Sequence, residues 1–318
     1  MKKANAPKRV NLTILCSDAF QYRNLIEAEE NQNLVIVQCA TSPEQIDTEQ
    51  VECLLASPAM AAEILNECPN LQWCQSTWAG NAPLLEHSRR DYSLTGVKGV
   101  FGQQMREYVF TYLLHFSRNV DAFSKQQRKQ QWKPVPYSYI AGKTLGILGA
   151  GSIARSLISP ALAFEMRVTG LNSSGHSVPG FDQIYSAEKK RDFARECDYV
   201  LNLLPDTAAT HHFIDREFIA ALPQHAVLIN AGRGSAIEEA SLLEALDNNQ
   251  LRGAVLDVFI EEPLPDTHPF WHHPKIVITQ HTAAESRPED IVALFLENVE
   301  RYIACRPLRF QFNFDKGY

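Results

Sequence analysis

An apolar segment, Thr144-Leu145-Gly146-Ile147-Leu148, runs directly into Gly149-Ala150-Gly151-Ser152-Ile153-Ala154 and from there into a helical pattern. No other stretch of the chain constrains the fold as tightly. Gly-x-Gly-x-x-Ala after a strand and before a helix is the dinucleotide-binding fingerprint in the context its mechanics require. Gly149 permits a tight turn. Gly151 has no side chain to keep a pyrophosphate off the backbone, so the N–H groups of the helix start, at Ser152 and Ile153, are free to face phosphate oxygens. Ala154 stands where the motif needs only a small residue between helix and strand.

The rest of the chain alternates in the same way. Apolar runs of strand length lie at Val10–Cys16, Leu34–Cys39, Cys53–Ala56, Leu71–Ser76 and Tyr92–Thr95. Others lie at Leu145–Leu148, Arg167–Leu171, Tyr199–Leu204, Val227–Asn230, Ala254–Val258 and Ile276–Thr279. Polar, helix-compatible segments separate them. Strand–helix alternation predicts an α/β protein with parallel sheets covered by helices. So many strands divide better between two sheets than they fit in one, and 318 residues suit two domains. Between the halves, Met105, Val109, Tyr112, Leu113, Phe116, Val120 and Phe123 recur at helical spacing and predict one long helix. Lys133-Pro134-Val135-Pro136 is expected to end it, and Ile291–Tyr302 predicts a last helix.

Net charge is −7, which argues against a nucleic-acid surface. Seven scattered cysteines, an odd number without a C-x-x-C pair, suit a reducing, cytoplasmic setting. The first residues lack the apolar core of a signal peptide, and no run is long enough to span a bilayer.

Three segments after the fingerprint end strands with chemically useful groups. Asn230-Ala231-Gly232-Arg233-Gly234 presents an arginine between glycines, Leu256-Asp257-Val258-Phe259 leads to Glu262-Pro263-Leu264, and Ile276–Thr279 leads to Gln280-His281. Ligands of open α/β sheets bind beyond the carboxyl ends of strands. An arginine fork holds the adjacent carboxylate and carbonyl of a 2-keto acid, a histidine protonates the alkoxide that hydride transfer leaves, and a carboxylate steadies the imidazolium. Singly, each residue has a plain structural reading, and the three together point to one pocket. At the end of the strand Arg167–Leu171, where NAD enzymes carry an acid for the ribose, stand Asn172-Ser173-Ser174-Gly175-His176. With no acid to repel a 2′-phosphate, NADP(H) is favoured over NAD(H), which stays possible.

On these segments, with Gly102–Tyr108 and Leu203-Leu204-Pro205-Asp206-Thr207, the chain resembles the D-isomer-specific 2-hydroxyacid dehydrogenases over nearly its whole length, most of all their glyoxylate/hydroxypyruvate reductase branch. The resemblance implies a Rossmann-type doubly wound cofactor domain over 101–284. It also implies a smaller flavodoxin-like substrate domain over 1–100 and 285–318, and pairing of cofactor domains into a homodimer. It implies that Arg233 grips the substrate, that Glu262 pairs with His281 and that His281 is the acid/base. Asp257 would contact the nicotinamide carboxamide, Leu204, Pro205 and Thr207 would flank the cofactor, and the Trp78-Ala79-Gly80 loop would offer N–H groups to the substrate carboxylate.

Three departures from the family pattern stand out. Asn81-Ala82 replaces Val-Asp and alters the carboxylate-side pocket, Gln280 replaces a proline and is expected to loosen the backbone before His281, and Pro160 is expected to kink or shorten the helix after the fingerprint. An NAD(H)-responsive corepressor-like binding protein is the alternative on the same fold, and formate or phosphite oxidation a third reading that Glu262 disfavours. His268, His272, His273 and His281, and the pair His211-His212, match no common zinc spacing, so no metal is expected.

Overall fold

The computed structural model describes residues 9–314. Residues up to Val100, with those from Ser286 onward, form one compact unit, and Phe101–Glu285 forms the other.

The first unit runs β1 (Val10–Leu15), α1 (Ala19–Ala28), β2 (Leu34–Ala40), β3 (Cys53–Ala56), α2 (Pro58–Ile64), β4 (Trp73–Ser76), α3 (Ala82–Glu86) and β5 (Ser93–Thr95). Its sheet has the order β2-β1-β3-β4-β5 with every neighbouring pair parallel. That is the flavodoxin-type doubly wound order. Helices on both faces leave β3 and β4 buried throughout, so their residues read as continuous runs rather than alternating ones.

The second unit opens with α4 (Gly102–Ser117) and α5 (Val120–Arg128). It continues through β6 (Thr144–Leu148), α6 (Ser152–Ala163), β7 (Arg167–Leu171), β8 (Gln183–Tyr185), α7 (Lys190–Glu196) and β9 (Tyr199–Asn202), and then α8 (Arg216–Ala221), β10 (Val227–Asn230), α9 (Glu239–Asp247), β11 (Gly253–Leu256) and β12 (Ile276–Ile278). All pairs are parallel in the order β12-β11-β10-β9-β6-β7-β8, a Rossmann-type sheet. Strand order reverses at β6, so the crevice beyond β6 and β9 is where this architecture receives a ligand. The chain closes with α10 (Pro288–Ile303) in the first unit, where Phe295 stacks on the buried Trp73 with ring centroids 5.2 Å apart.

Four features differ from the sequence reading. The single helix expected over 105–123 is two helices, broken at Asn119, whose backbone is left-handed (φ 53°, ψ 44°). Asparagine tolerates that conformation, and tertiary bonds fix it here: its amide donates to the Pro136 carbonyl, and Arg252 donates to the Phe116 carbonyl and to Asn119 Oδ1. Met105, Val109 and Leu113 are buried, whereas Val120 and Phe123 on α5 are exposed. The helix after the fingerprint runs past Pro160 to Ala163, forgoing one main-chain bond rather than ending there. Finally, β8 is a three-residue edge strand too short and too polar to stand out as an apolar run. All seven cysteines are free thiols, five of them buried.

Candidate active site

The fingerprint has the geometry its residue types suggest. Gly149 sits at φ +96°, and a Cβ there would lie 3.0 Å from the Leu203 carbonyl oxygen, so turn and crowding both demand glycine. A Cβ on Gly151 would meet nothing within 4 Å. The space over the start of α6 is therefore open, and no side chain caps that helix end. This is room and N–H polarity of the kind a pyrophosphate needs.

Beyond β7, Asn172 is occupied within its own loop. Its Oδ1 accepts the N–H groups of Ser174 (3.1 Å) and Gly175 (2.6 Å), and its Nδ2 donates to the His176 carbonyl. Ser174 Oγ lies 2.7 Å from His176 Nδ1. Ser173 and Ser174 face solvent. Beyond β9, Leu204 is buried and its N–H donates to Asn202 Oδ1, while Pro205 and Thr207 are exposed. Thr210 Oγ1 ties this turn together through the Pro205 carbonyl (2.6 Å).

At the end of β10, Asn230 Nδ2 donates to the Arg233 carbonyl, and Asn202 Nδ2 donates to Asn230 Oδ1 (2.8 Å), fixing the loop to the neighbouring strand. A Cβ on Gly234 would fall 2.0 Å from the Phe259 carbonyl carbon, so only glycine lets this loop close on the segment that leads to Glu262. Arg233 is half-buried between two glycines, and one of its guanidinium nitrogens donates to the Gly232 carbonyl (2.7 Å).

His281 Nδ1 lies 2.7 Å from Glu262 Oε2, and Glu262 Oε1 accepts the Phe259 N–H at 2.9 Å. A carboxylate only accepts, so Nδ1 carries the hydrogen of this bond and Nε2 is left for other chemistry. A cavity of about 530 Å3 opens beside the pair, lined by Phe259, Leu264, Trp271, Ile278 and Gln280 among others.

The turn holding His281 is pinned rather than loosened. Gln280 and His281 both have left-handed backbones, at φ 55° and 59°. Proline, whose ring fixes φ near −65°, cannot occupy the Gln280 conformation. The departure thus permits a different turn, held by Asp257. Asp257 is 2% exposed, and its carboxylate accepts Thr279 Oγ1 and the N–H groups of Thr282 and Ala283. Thr279 and Tyr108 escape a sequence search for reactive groups. Their only signal is that one sits two residues before the histidine and the other lies inside a helical stripe.

In the first unit, the Trp78–Gly80 loop is exposed over Trp78 and Ala79. Buried Asn81 clamps it by donating to the Trp78 (3.2 Å) and Ala79 (3.1 Å) carbonyls, so this departure from the family pattern shapes the loop. His268 caps the short helix after it through the Phe270 N–H, and the rings of His211 and His212 lie 4.0 Å apart, tilted by 34°. Among the described residues, no group of three or more His, Cys, Asp or Glu is placed to hold a metal ion, and no helix is long and apolar enough to cross a membrane.

A Rossmann-type sheet with an open fingerprint turn and an acid–histidine pair at neighbouring strand ends defines the class as a dinucleotide-dependent oxidoreductase fold. Residues 110–283 match the model for the NAD-binding domain of D-isomer specific 2-hydroxyacid dehydrogenases. The chain belongs to that family. It is 36% identical to glyoxylate/hydroxypyruvate reductase A of Serratia proteamaculans over 197 residues, 62% of this chain and 63% of that relative, so the match spans under two thirds of the relative's length. A D-isomer specific 2-hydroxyacid dehydrogenase family protein from Aeromonas salmonicida is 38% identical and superimposes with a TM-score of 0.91 over 97% of this chain and all of that one. The NADPH-dependent glyoxylate/hydroxypyruvate reductase of Sinorhizobium meliloti, solved with NADP and sulfate, is 25% identical with a TM-score of 0.86, over 97% and 100% of the two chains.

Proposed function

We propose that this protein reduces a small 2-keto acid of the glyoxylate/hydroxypyruvate type to the D-2-hydroxy acid, with NADPH preferred and NADH accepted. The 2.7 Å pair of His281 and Glu262 carries the reading, because it is an oriented proton donor at a strand end of a dinucleotide-binding sheet. When bound, the reduced nicotinamide supplies the hydride. The chain's own residues do the rest. His281 delivers a proton from Nε2 to the substrate's carbonyl oxygen as that oxygen takes on negative charge, and Glu262 keeps the imidazole oriented. Arg233 holds the substrate's carboxylate and carbonyl oxygens in register through its planar fork. On the five-stranded unit, the Trp78-Ala79-Gly80 loop offers N–H groups of the kind a carboxylate accepts from.

For the cofactor, Gly149 and Gly151 with the N–H groups of Ser152 and Ile153 receive the pyrophosphate, and Leu204, Pro205 and Thr207 flank it. Ser173 and Ser174 meet the 2′-phosphate on a loop that Asn172 shapes. The five-stranded unit serves the substrate and the seven-stranded unit the cofactor. Small-molecule turnover with free thiols suits a cytoplasmic enzyme. Its seven-stranded units pair as a homodimer, supported by a solvent-facing apolar surface on α5 and the segment after it. There Phe123 and Tyr137 are about half exposed and Trp132 fully so. Light scattering at micromolar concentration tests this, since a monomer mass rejects it.

The test of function is steady-state turnover of glyoxylate and of hydroxypyruvate, each with NADPH and NADH. Turnover of both acids with a higher kcat/KM for NADPH is the expected result. Tight NADPH binding without turnover of either acid would favour the corepressor-like reading.

A further inference from the structure

We propose that Tyr108 and Thr279 are positioning residues for His281, acting through Asp257 on the turn that carries the imidazole. The inference rests on the acid role given to His281 above. Gln280 and His281 are consecutive residues in the left-handed region, which few residues with a side chain adopt. Besides a bond from the Thr282 hydroxyl to the Thr279 carbonyl, what holds them converges on one buried residue. The Asp257 carbonyl accepts the His281 N–H at 2.6 Å. Asp257 Oδ1 accepts the Thr282 N–H at 2.8 Å, the Ala283 N–H at 3.1 Å and the Thr279 hydroxyl at 2.6 Å. Backbone bonds therefore clamp the turn from inside, and the Thr279 hydroxyl is the one side-chain donor among them.

The direction of the relay follows from its end. A carboxylate accepts and cannot donate, so the Thr279 hydrogen is committed to Asp257. Tyr108 Oη lies 2.8 Å from Thr279 Oγ1 and must then be the donor. Burial pushes the Tyr108 phenol well above its ordinary range, so it keeps its proton at working pH. Tyr108 stands on α4 between Met105 and Val109, both buried, and so refers the turn to a helix fixed in the core. Asp257 Oδ1 has three donors to satisfy, and the Thr279 rotamer fixes the direction of one of them. With the Thr279 hydroxyl gone, the carboxylate keeps its backbone donors but loses the one contact that ties it to Tyr108, so the Gln280–His281 turn is held less tightly. That displaces the imidazole, which must meet the reacting oxygen within hydrogen-bond reach. Arg233 stands on a different loop, so substrate grip is spared.

The experiment measures reduction of glyoxylate by NADPH in the full-length protein carrying Thr279→Val, Thr279→Ser, Tyr108→Phe, or Tyr108→Phe with Thr279→Val. Thr279→Val keeps the shape and loses the hydroxyl, and kcat should fall by about tenfold or more, a loss of the size that misplacing a catalytic group produces. KM for glyoxylate and for NADPH should stay within about twofold. Thr279→Ser, which loses a methyl and keeps the hydroxyl, should restore most of the rate. Tyr108→Phe should cost less than Thr279→Val, and the double variant should be no worse than Thr279→Val alone, as expected for one chain of contacts. Normal kcat in Thr279→Val with a loss in Thr279→Ser would make the residue a packing element and overturn the proposal. Losses that multiply in the double variant, or a KM that rises with the fall in kcat, would overturn it too. His281→Ala, measured alongside, separates the two levels. If His281→Ala keeps its rate, the acid role itself is wrong. If it loses the rate while the Thr279 and Tyr108 variants keep theirs, only the relay is wrong.

Discussion

At the β6–α6 turn the chain offers bare backbone and open space, whereas at the ends of β11 and β12 it offers side chains tied into a single network. Gly151 would admit a Cβ without a clash, and the start of α6 has no side-chain cap. By contrast, the Asp257 carboxylate accepts three donors within the His281 turn, the Ala283 N–H on both oxygens, and Glu262 is bonded on both carboxylate oxygens. The first region is shaped to receive charge from a ligand; the second spends its own charge on holding one imidazole. A phosphate needs many weak, interchangeable N–H donors, while a proton transfer needs one group at one place.

Arg233→Lys, on the loop after β10, tests the substrate grip that stands beside that network. Lysine replaces the planar fork with a point charge, so two charge-assisted bonds become one. KM for the keto acid should rise by about tenfold to a hundredfold, the value of one such bond at 1.5–3 kcal/mol. KM for NADPH should hardly move. Equal weakening of both would put Arg233 on the cofactor and merge the two regions.

The backbone side is sharpened by two glycines with opposite liabilities. Gly151→Val should leave Tm near wild type, since nothing crowds that position, and raise KM for NADPH by about tenfold. Gly149→Ala should lower Tm by about 5 °C, because a left-handed φ of 96° combines with a contact to the Leu203 carbonyl. A thermal melt and an NADPH titration on both variants decide it. If Gly151→Val melts early with unchanged KM, the space over α6 is structural.

Ser173→Asp is expected to give a smaller effect. A carboxylate on this exposed loop repels a 2′-phosphate and leaves a ribose hydroxyl an acceptor. The ratio of kcat/KM for NADPH to that for NADH should fall by several-fold, roughly 1 kcal/mol at a solvent-screened site. A wild type that already prefers NADH, or a ratio indifferent to the carboxylate, would remove this loop from the ribose.

The same contrast decides what was legible in the sequence. The fingerprint was readable because the residue that the geometry demands, glycine at φ +96°, is its own signal. The buried strands were readable because helices on both faces make their residues uniformly apolar. His281, Glu262 and Arg233 were readable as chemistry at strand ends. The break at Asn119 was not, because it depends on Arg252 and Pro136, which are distant in sequence. Gln280 suggested a loosened backbone, and only the turn itself reveals a left-handed residue held by Asp257. The Tyr108–Thr279 contact joins residues 171 positions apart and leaves no periodicity to find.

The central claim is that His281, held by Glu262, gives up the proton in 2-keto acid reduction, and kcat in wild type, His281→Ala and Glu262→Gln tests it most directly. His281→Ala should lose at least ~10²-fold in kcat, the usual worth of a positioned general acid. Glu262→Gln keeps the shape but replaces the carboxylate that accepts from His281 Nδ1 and orients the ring, so kcat should fall while KM for the keto acid stays within about twofold. A His281→Ala enzyme with near-normal kcat, or a Glu262→Gln enzyme with wild-type kcat, would contradict the account.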